Sequence, residues 1–448
     1  MDYITLYDYL LLPVYLFAFY FLVVIKSRKY EGNHFRKYLI ITFFLHMGGS
    51  VLYCMVIQYY YGYGDSFVFY QGSDFIRDTI STTGDPFSPF FMSSADFEKM
   101  FSAISSGNDS VLPTGMDVDS NLMVMKISAA LSYISFNSYL IISLFFGLFS
   151  FTGLWKMFKT LNEIMDKKAE RLLAIAILVT PSVCFWGSGL IKDSICLGAI
   201  GFIVYYLYKI FVKKKFRWRD PVLLLLMCYL LFLIKNYLAA GILASLVAAY
   251  VLNVILRNKK SPLKLIAMSF VLLVSGVILV ISLSSNLNTI IEDSKNNIEA
   301  FKGSYATLEE DDNGSGFSNQ DDEITISSMI LKSPLAIFTT LFRPFLWESN
   351  KLVMLFSALE SFLSLILTLI ILAKCKVRRF FYYIFTDPFL FFCFIFVGLM
   401  SVIVGLSTFN FGTMVRYRLP VLPFYFFMLL FIFIKNKEAQ AQKMVVPQ

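Results

Sequence analysis

The chain has 448 residues, 57% of them hydrophobic and 16% charged, with a net charge of +8 and a mean hydropathy of +0.67. Such a balance excludes an ordinary soluble protein, and the apolar runs repeatedly reach the length that crosses a hydrocarbon core of about 30 Å. The Lys and Arg residues cluster in short stretches between those runs, so the positive charge marks membrane topology and argues against nucleic acid as a partner.

Read in order, the runs predict an all-α polytopic membrane protein of about eleven transmembrane helices, with the N-terminus outside and the C-terminus cytoplasmic. The first two helices are expected over residues 4–25 and 38–58. Lys26, Arg28, Lys29, Arg36 and Lys37 lie between them and place that loop in the cytoplasm. Residues 1–9 lack the basic start of a cleavable signal, so the first span reads as a retained anchor. Residues 59–136 form a first large extracytoplasmic loop. Its part over 59–121 carries nine acids against Arg77 and Lys99. Within it, 94–105 predicts a short interfacial helix capped by Ser94, and 122–133 a short surface or re-entrant helix. The third span is expected over 137–154, followed by cytoplasmic Lys156, Lys159, Lys167, Lys168 and Arg171.

The fourth and fifth spans, 172–191 and 194–212, form a hairpin whose outer tip is 187–193. Asp220-Pro221 starts a short sixth span that ends before Lys235. The seventh and eighth are expected over 237–256 and 263–283. A second large extracytoplasmic loop covers 284–350; its acidic stretch 309–323 reads as solvated chain, and 326–346 as a more structured part. The ninth span covers 352–373. Asp387-Pro388 opens the tenth, which reaches residue 407, and 420–434 makes most of the eleventh. There is no internal repeat of the kind that marks inverted-repeat transporters, so 1–448 reads as a single integral membrane domain.

The six cysteines fall in apolar runs or a basic loop, which argues against a disulfide framework, and two histidines, His34 and His46, argue against a histidine zinc site. Lys192, Lys235, Arg343, Arg416 and Arg418 are the basic residues expected at outer helix ends. Cations at that depth need an acid, a lipid headgroup or an anionic ligand, and as a set they suit a diphosphate or a carboxylate-bearing glycan; the alternative is interfacial snorkelling. Asp65, in Gly64-Asp65-Ser66 just after the second span, has the position of a general base or a divalent-cation ligand, the alternative being a cap or turn. Asp74 follows in the same stretch. Trp347, beside Arg343 and Glu348, is a candidate sugar platform, while Tyr59, Tyr60, Tyr61 and Tyr63 read first as an aromatic belt. Glu360 lies inside a span, which suits either a functional acid or a buried hydrogen bond. No Walker A, dinucleotide or nucleophile-elbow motif occurs.

Four stretches carry a family resemblance. They are Gly64-Asp65-Ser66 with Tyr70, Pro181-Ser182 through Phe185-Trp186 to Lys192-Asp193, Arg343-Pro344 with Trp347-Glu348, and Arg416-Tyr417-Arg418-Leu419-Pro420. In these the chain resembles the polytopic C-type membrane glycosyltransferases and the related O-antigen or exopolysaccharide polymerases of bacterial envelopes. The resemblance implies transfer of a sugar from a polyprenyl-linked donor to a glycan or lipid-linked acceptor on the outer leaflet of the inner membrane. It implies Asp65 as base or metal contact, with Mg or Mn as the possible cation. Lys192, Arg343, Arg416 and Arg418 would then meet the donor phosphates. Two departures stand out: the loop follows the second span, not the first, and the acidic pair of the family is reduced to Asp65-Ser66. The competing classes are a transporter or flippase of lipid-linked glycans and a non-catalytic scaffold of an envelope complex.

Overall fold

The computed structural model describes residues 3–32, 34–104, 115–215, 217–257, 326–349, 352–408 and 410–445. Among them the regular elements are all helices and no strand forms. Seven are long and apolar enough to cross a membrane: Leu6–Tyr30, His34–Tyr61, Tyr139–Ile164, Lys192–Val212, Asn236–Arg257, Val353–Cys375 and Pro388–Ser407. An eighth results if Phe411–Tyr417 and Leu422–Gln442, which meet at 64°, count as one bent span. These helices are the mark of an integral membrane protein.

Among the described residues seven or eight stand against the eleven expected along the whole chain, and the differences fall at three places. The expected eighth span, 263–283, lies outside the described residues, as does the second large loop up to residue 325 with its acidic stretch. The expected fourth span is broken. A helix over Glu170–Ala174 widens into a π-helical stretch at Ile175–Val179, Thr180 leaves helical geometry, and Pro181–Trp186 forms a separate short helix. Proline lacks the N–H that would continue the ladder and biases the residue before it towards extended backbone, which explains a break at Thr180. The expected sixth span is a helix of only 16 residues, Arg219–Ile234.

The chain divides into two compact units, Met1–Thr160 with Val183–Lys235, and Leu161–Ser182 with Asn236–Gln448. In chain order the first begins with α1 (Leu6–Ser27), α2 (His34–Val56), α3 (Asp65–Thr83), α4 (Ser88–Phe91), α5 (Ser94–Ile104), α6 (Asp119–Ser132) and most of α7 (Tyr139–Ile164). Helix α3 is not the turn expected around Asp65. It buries Ser66, Phe69, Gly72, Ser73, Ile76 and Thr79, the three-to-four spacing of one helical face, and packs that face on α6. A Cβ at Gly72 would stand 2.4 Å from the Met125 sulfur, so glycine is what lets the two helices close. Helix α5 starts where expected, but Ser93 is its cap: Ser93 Oγ accepts from the Asp96 N–H at 3.2 Å while Asp96 accepts from the Ser93 N–H at 3.1 Å.

Helices α8 (Glu170–Ala174) and the start of α9 (Pro181–Trp186) belong to the second unit, and the first resumes at Val183 with α10 (Lys192–Leu207) and α11 (Arg219–Ile234), which pack on one another. The second unit continues with α12 (Asn236–Arg257), α13 (Ile326–Phe342), α14 (Leu352–Cys375), α15 (Val377–Thr386), α16 (Pro388–Ser407), α17 (Phe411–Tyr417) and α18 (Leu422–Val445). Helix α16 is its centre, with α12 and α13 packed against it. As the sequence predicts, Asp387 caps α16, accepting from the N–H groups of Phe389 at 2.9 Å and Leu390 at 3.1 Å, with Pro388 at the first helical position.

Candidate functional site

In the first unit the polar residues gather where α10 begins. The chain from Trp186 to Ile191 is buried, not an exposed outer tip. Glycines make room for it: a Cβ at Gly49 would lie 2.1 Å from the Cys184 carbonyl oxygen, and one at Gly189 would lie 2.3 Å from the Tyr53 ring. His46 Nδ1 and Ser188 Oγ, 3.1 Å apart, hold the segment to α2.

At the end of this segment Lys192 and Asp193 open α10. Lys235, the non-helical residue between α11 and α12, donates to Asp193 Oδ1 at 2.5 Å, and both side chains are almost wholly buried. Each ion thereby compensates the other's desolvation. Lys192 is half-buried and donates to Ser120 Oγ on α6 at 2.7 Å, a neutral partner. Asp65, Lys235 and Asp193 all lie within electrostatic reach of the Lys192 ammonium. A cation in the first turn of a helix faces the positive end of the helix dipole, so Lys192 occupies a place that favours an anion beside it. The structure thus joins three residues singled out from sequence, Asp65, Lys192 and Lys235, with two that were not assigned roles, Ser120 and Asp193.

Asp65 is exposed in the first turn of α3, immediately after Gly64, whose φ of +155° is open to glycine. Asp74, about two and a half turns on at 3.6 residues per turn, is half-buried. It accepts from Asn137 Nδ2 at 2.9 Å and pairs with Arg77 at 3.3 Å. Burial pushes its carboxyl above the usual carboxylate range, against the opposing pull of Asn137 and Arg77. Tyr70 donates to the Asn137 carbonyl at 2.7 Å and completes this polar group. Among the described residues no three His, Cys, Asp or Glu side chains converge as a metal site, and Asp65 lies in electrostatic reach of the Lys192 ammonium.

The candidates in the second unit are arranged differently. Arg418 is fully buried. Its Nη1 donates to the Arg343 carbonyl and to Ser361 Oγ, both at 2.8 Å, and to the Thr340 carbonyl at 3.4 Å. Nη2 stands 3.7 Å from Glu360. Glu360 in turn accepts from the Ser182 N–H at 3.0 Å and Ser182 Oγ at 2.7 Å, which is the buried hydrogen-bonding alternative. Arg418 is therefore a residue that ties α13, α14 and α17 together, not an interfacial phosphate contact. Arg343 is forked onto Glu348, with Nε 3.0 and 3.2 Å from its two oxygens, and its guanidinium lies over the Phe411 ring at 4.9 Å. Trp347 is 76% exposed and stacks on Phe345 with ring centroids 4.8 Å apart, so its outer face is open to solvent. Arg416 is half-buried in the last turn of α17.

The chain matches no family model, no curated protein and no solved structure.

Proposed function

We propose that the protein is a membrane glycosyltransferase acting on polyprenyl-phosphate- or diphosphate-linked sugars, of the transferase or polysaccharide-polymerase kind, in an envelope such as that of the bacterial inner membrane. The observation that carries this reading is Lys192: half-buried at the positive end of α10, donating to a serine hydroxyl, with Asp65 in electrostatic reach. The loop charges would place this end of α10 outside the cytoplasm and the C-terminus inside.

In this reading Lys192 receives the donor phosphate, and the ammonium offsets the charge that grows on the leaving diphosphate as the glycosidic bond breaks. Lys235 stays paired with Asp193 and sets the potential beneath it. The acceptor hydroxyl forms the new bond at the anomeric carbon, and its proton passes to Asp65, which is exposed enough to meet a substrate. Asp74, whose carboxyl burial raises, is held by Asn137 and Arg77, which suits positioning. Trp347 offers a ring face for a sugar in the second unit.

The test is a transfer assay on the purified full-length protein with a polyprenyl-diphosphate sugar and a glycan acceptor. Asp65→Asn should abolish turnover, whereas Asp78→Asn, at an exposed position, should leave it. Equal activity in both variants would remove Asp65 from the reaction.

A second reading has one specific observation in its favour. The helical path is interrupted at Thr180, at Lys235 and between α17 and α18, and discontinuous helices beside buried ions are how many transporters build substrate paths. Movement of the lipid-linked glycan without a new glycosidic bond would establish it.

A further inference from the structure

The first unit contains a cavity of about 930 Å³ far from the Lys192 cluster. It lies around Tyr205 and Lys209, some 13 to 17 residues further along the α10 path, which is about 20 Å or more at 1.5 Å per residue. Five cations line it, Lys156, Lys209, Lys215, Arg217 and Arg219, and among the described residues the only acid in its lining is Asp220. That acid is already engaged: Asp220 accepts from Lys209 Nζ and from the Arg217 N–H, both at 2.7 Å. Lys156 is drawn in over aromatic rings, its Nζ 4.2 Å from the Tyr205 centroid and 5.0 Å from that of Tyr206, with Lys159 and Lys209 in electrostatic reach. Rings stabilise one ammonium, but they do not neutralise a group of them.

We infer that this cavity binds a phosphate-bearing headgroup, a second anion site distinct from the proposed transfer site. The fit is chemical. The cavity offers guanidinium and ammonium donors to phosphate oxygens, with aromatic walls from Tyr205 and Trp218 beside them. Its remaining wall is apolar, formed by Val222 and Leu223. Along α11 that wall runs into exposed Leu225, Leu226 and Tyr229, a surface suited to an acyl chain. A phosphate in the basic part with its chain along α11 is the pose of an anionic lipid; a free phosphate ester would use the basic part alone. The placement is not explained by loop charge in general, because ordinary topology signals need no cavity and no cation set over the Phe202, Tyr205 and Tyr206 rings.

The inference is independent of glycosyl transfer and is tested by binding. The full-length protein in neutral detergent is titrated with dioctanoyl phosphatidic acid, dioctanoyl phosphatidylcholine and inorganic diphosphate. The readout is Trp218 fluorescence, with Trp218→Phe as the blank, together with the melting temperature. Phosphatidic acid should bind at least tenfold more tightly than phosphatidylcholine. Binding should weaken at least tenfold in Lys156→Gln and in the doubly substituted Arg217→Gln, Arg219→Gln protein, whose two arginines are exposed and whose fold is expected to be intact. Saturation by diphosphate at similar concentrations identifies a soluble phosphate ligand; no response to diphosphate identifies the lipid. Equal binding of the two lipids with no response to diphosphate, or unchanged binding in the double variant, overturns the inference.

Discussion

In each unit a buried cation stands against a buried acid, Lys235 against Asp193 in the first and Arg418 against Glu360 in the second, but the two pairs are built by different means. In the second unit the Arg418 fork spreads over the Arg343 carbonyl, Ser361, Thr340 and Glu360, so one guanidinium gathers three helices. In the first, Lys235 meets Asp193 as a single ammonium, and Lys192 beside it rests on a neutral hydroxyl. A fork satisfied by carbonyls has structural work and little to offer a ligand. A half-buried lysine on a serine exchanges that contact for a phosphate at small cost. This contrast suits a framework role for the arginine cluster and the ligand-binding role proposed for the lysine–acid cluster.

The largest expected effect comes from cutting the arginine framework. Arg418→Gln leaves Glu360 buried without its cation and should cost about 3–5 kcal/mol, read as a collapse in folded yield and melting temperature. Arg418→Lys should recover little of it, because an ammonium does not reproduce the fork. Full rescue by lysine would erase the contrast between the two units. Next comes Lys235→Met, which takes the ammonium away from buried Asp193 and should also destabilise by about 3–5 kcal/mol. Adding Asp193→Leu should restore most of the stability, since replacing both ions removes both desolvation penalties.

Smaller and of a different kind is the effect of Lys192→Gln. Stability should change by less than about 1 kcal/mol, because a hydroxyl is all that is left behind, while sugar transfer falls about 100-fold. Asp74 gives a pH signature. Its carboxyl is raised in the folded state, so it contributes stability below the unfolded value and loses it as pH rises through the raised folded one. Melting temperature followed upward from the ordinary carboxylate range should fall in the wild type, and Asp74→Asn should flatten that fall. The smallest effect is that of Trp347→Ala, within about 0.5 kcal/mol in stability for so exposed a residue. A raised KM for the sugar substrate would sharpen its role as a platform.

Much of the helical architecture was legible in the sequence, because apolar runs of span length and a cap such as Asp387-Pro388 carry their own physical signal. Helix α3 was not. Its buried face is made of Ser66, Gly72 and Ser73 as much as of Phe69 and Ile76, so its three-to-four spacing is quiet in hydropathy, and Gly64-Asp65-Ser66 reads locally as a turn. The Pro181 break was present in the sequence but masked by the apolar run around it. For the candidate site, the residue types at the helix ends could be named in advance. Their partners could not: Asp193 and Lys235 are 42 positions apart, and Arg418 and Ser361 are 57. Only packing decides that Arg418 is consumed internally while Lys192 rests on Ser120.

The central claim, that the lysine–acid cluster receives a phosphate-linked sugar, is tested most directly by transfer from a polyprenyl-diphosphate donor in the purified wild type and in Lys192→Gln. The account predicts a new glycosidic bond and diphosphate-lipid release in the wild type, with both lost about 100-fold in the variant at an unchanged melting temperature. Transfer at the wild-type rate in Lys192→Gln, or no glycosidic bond from either protein, would contradict it.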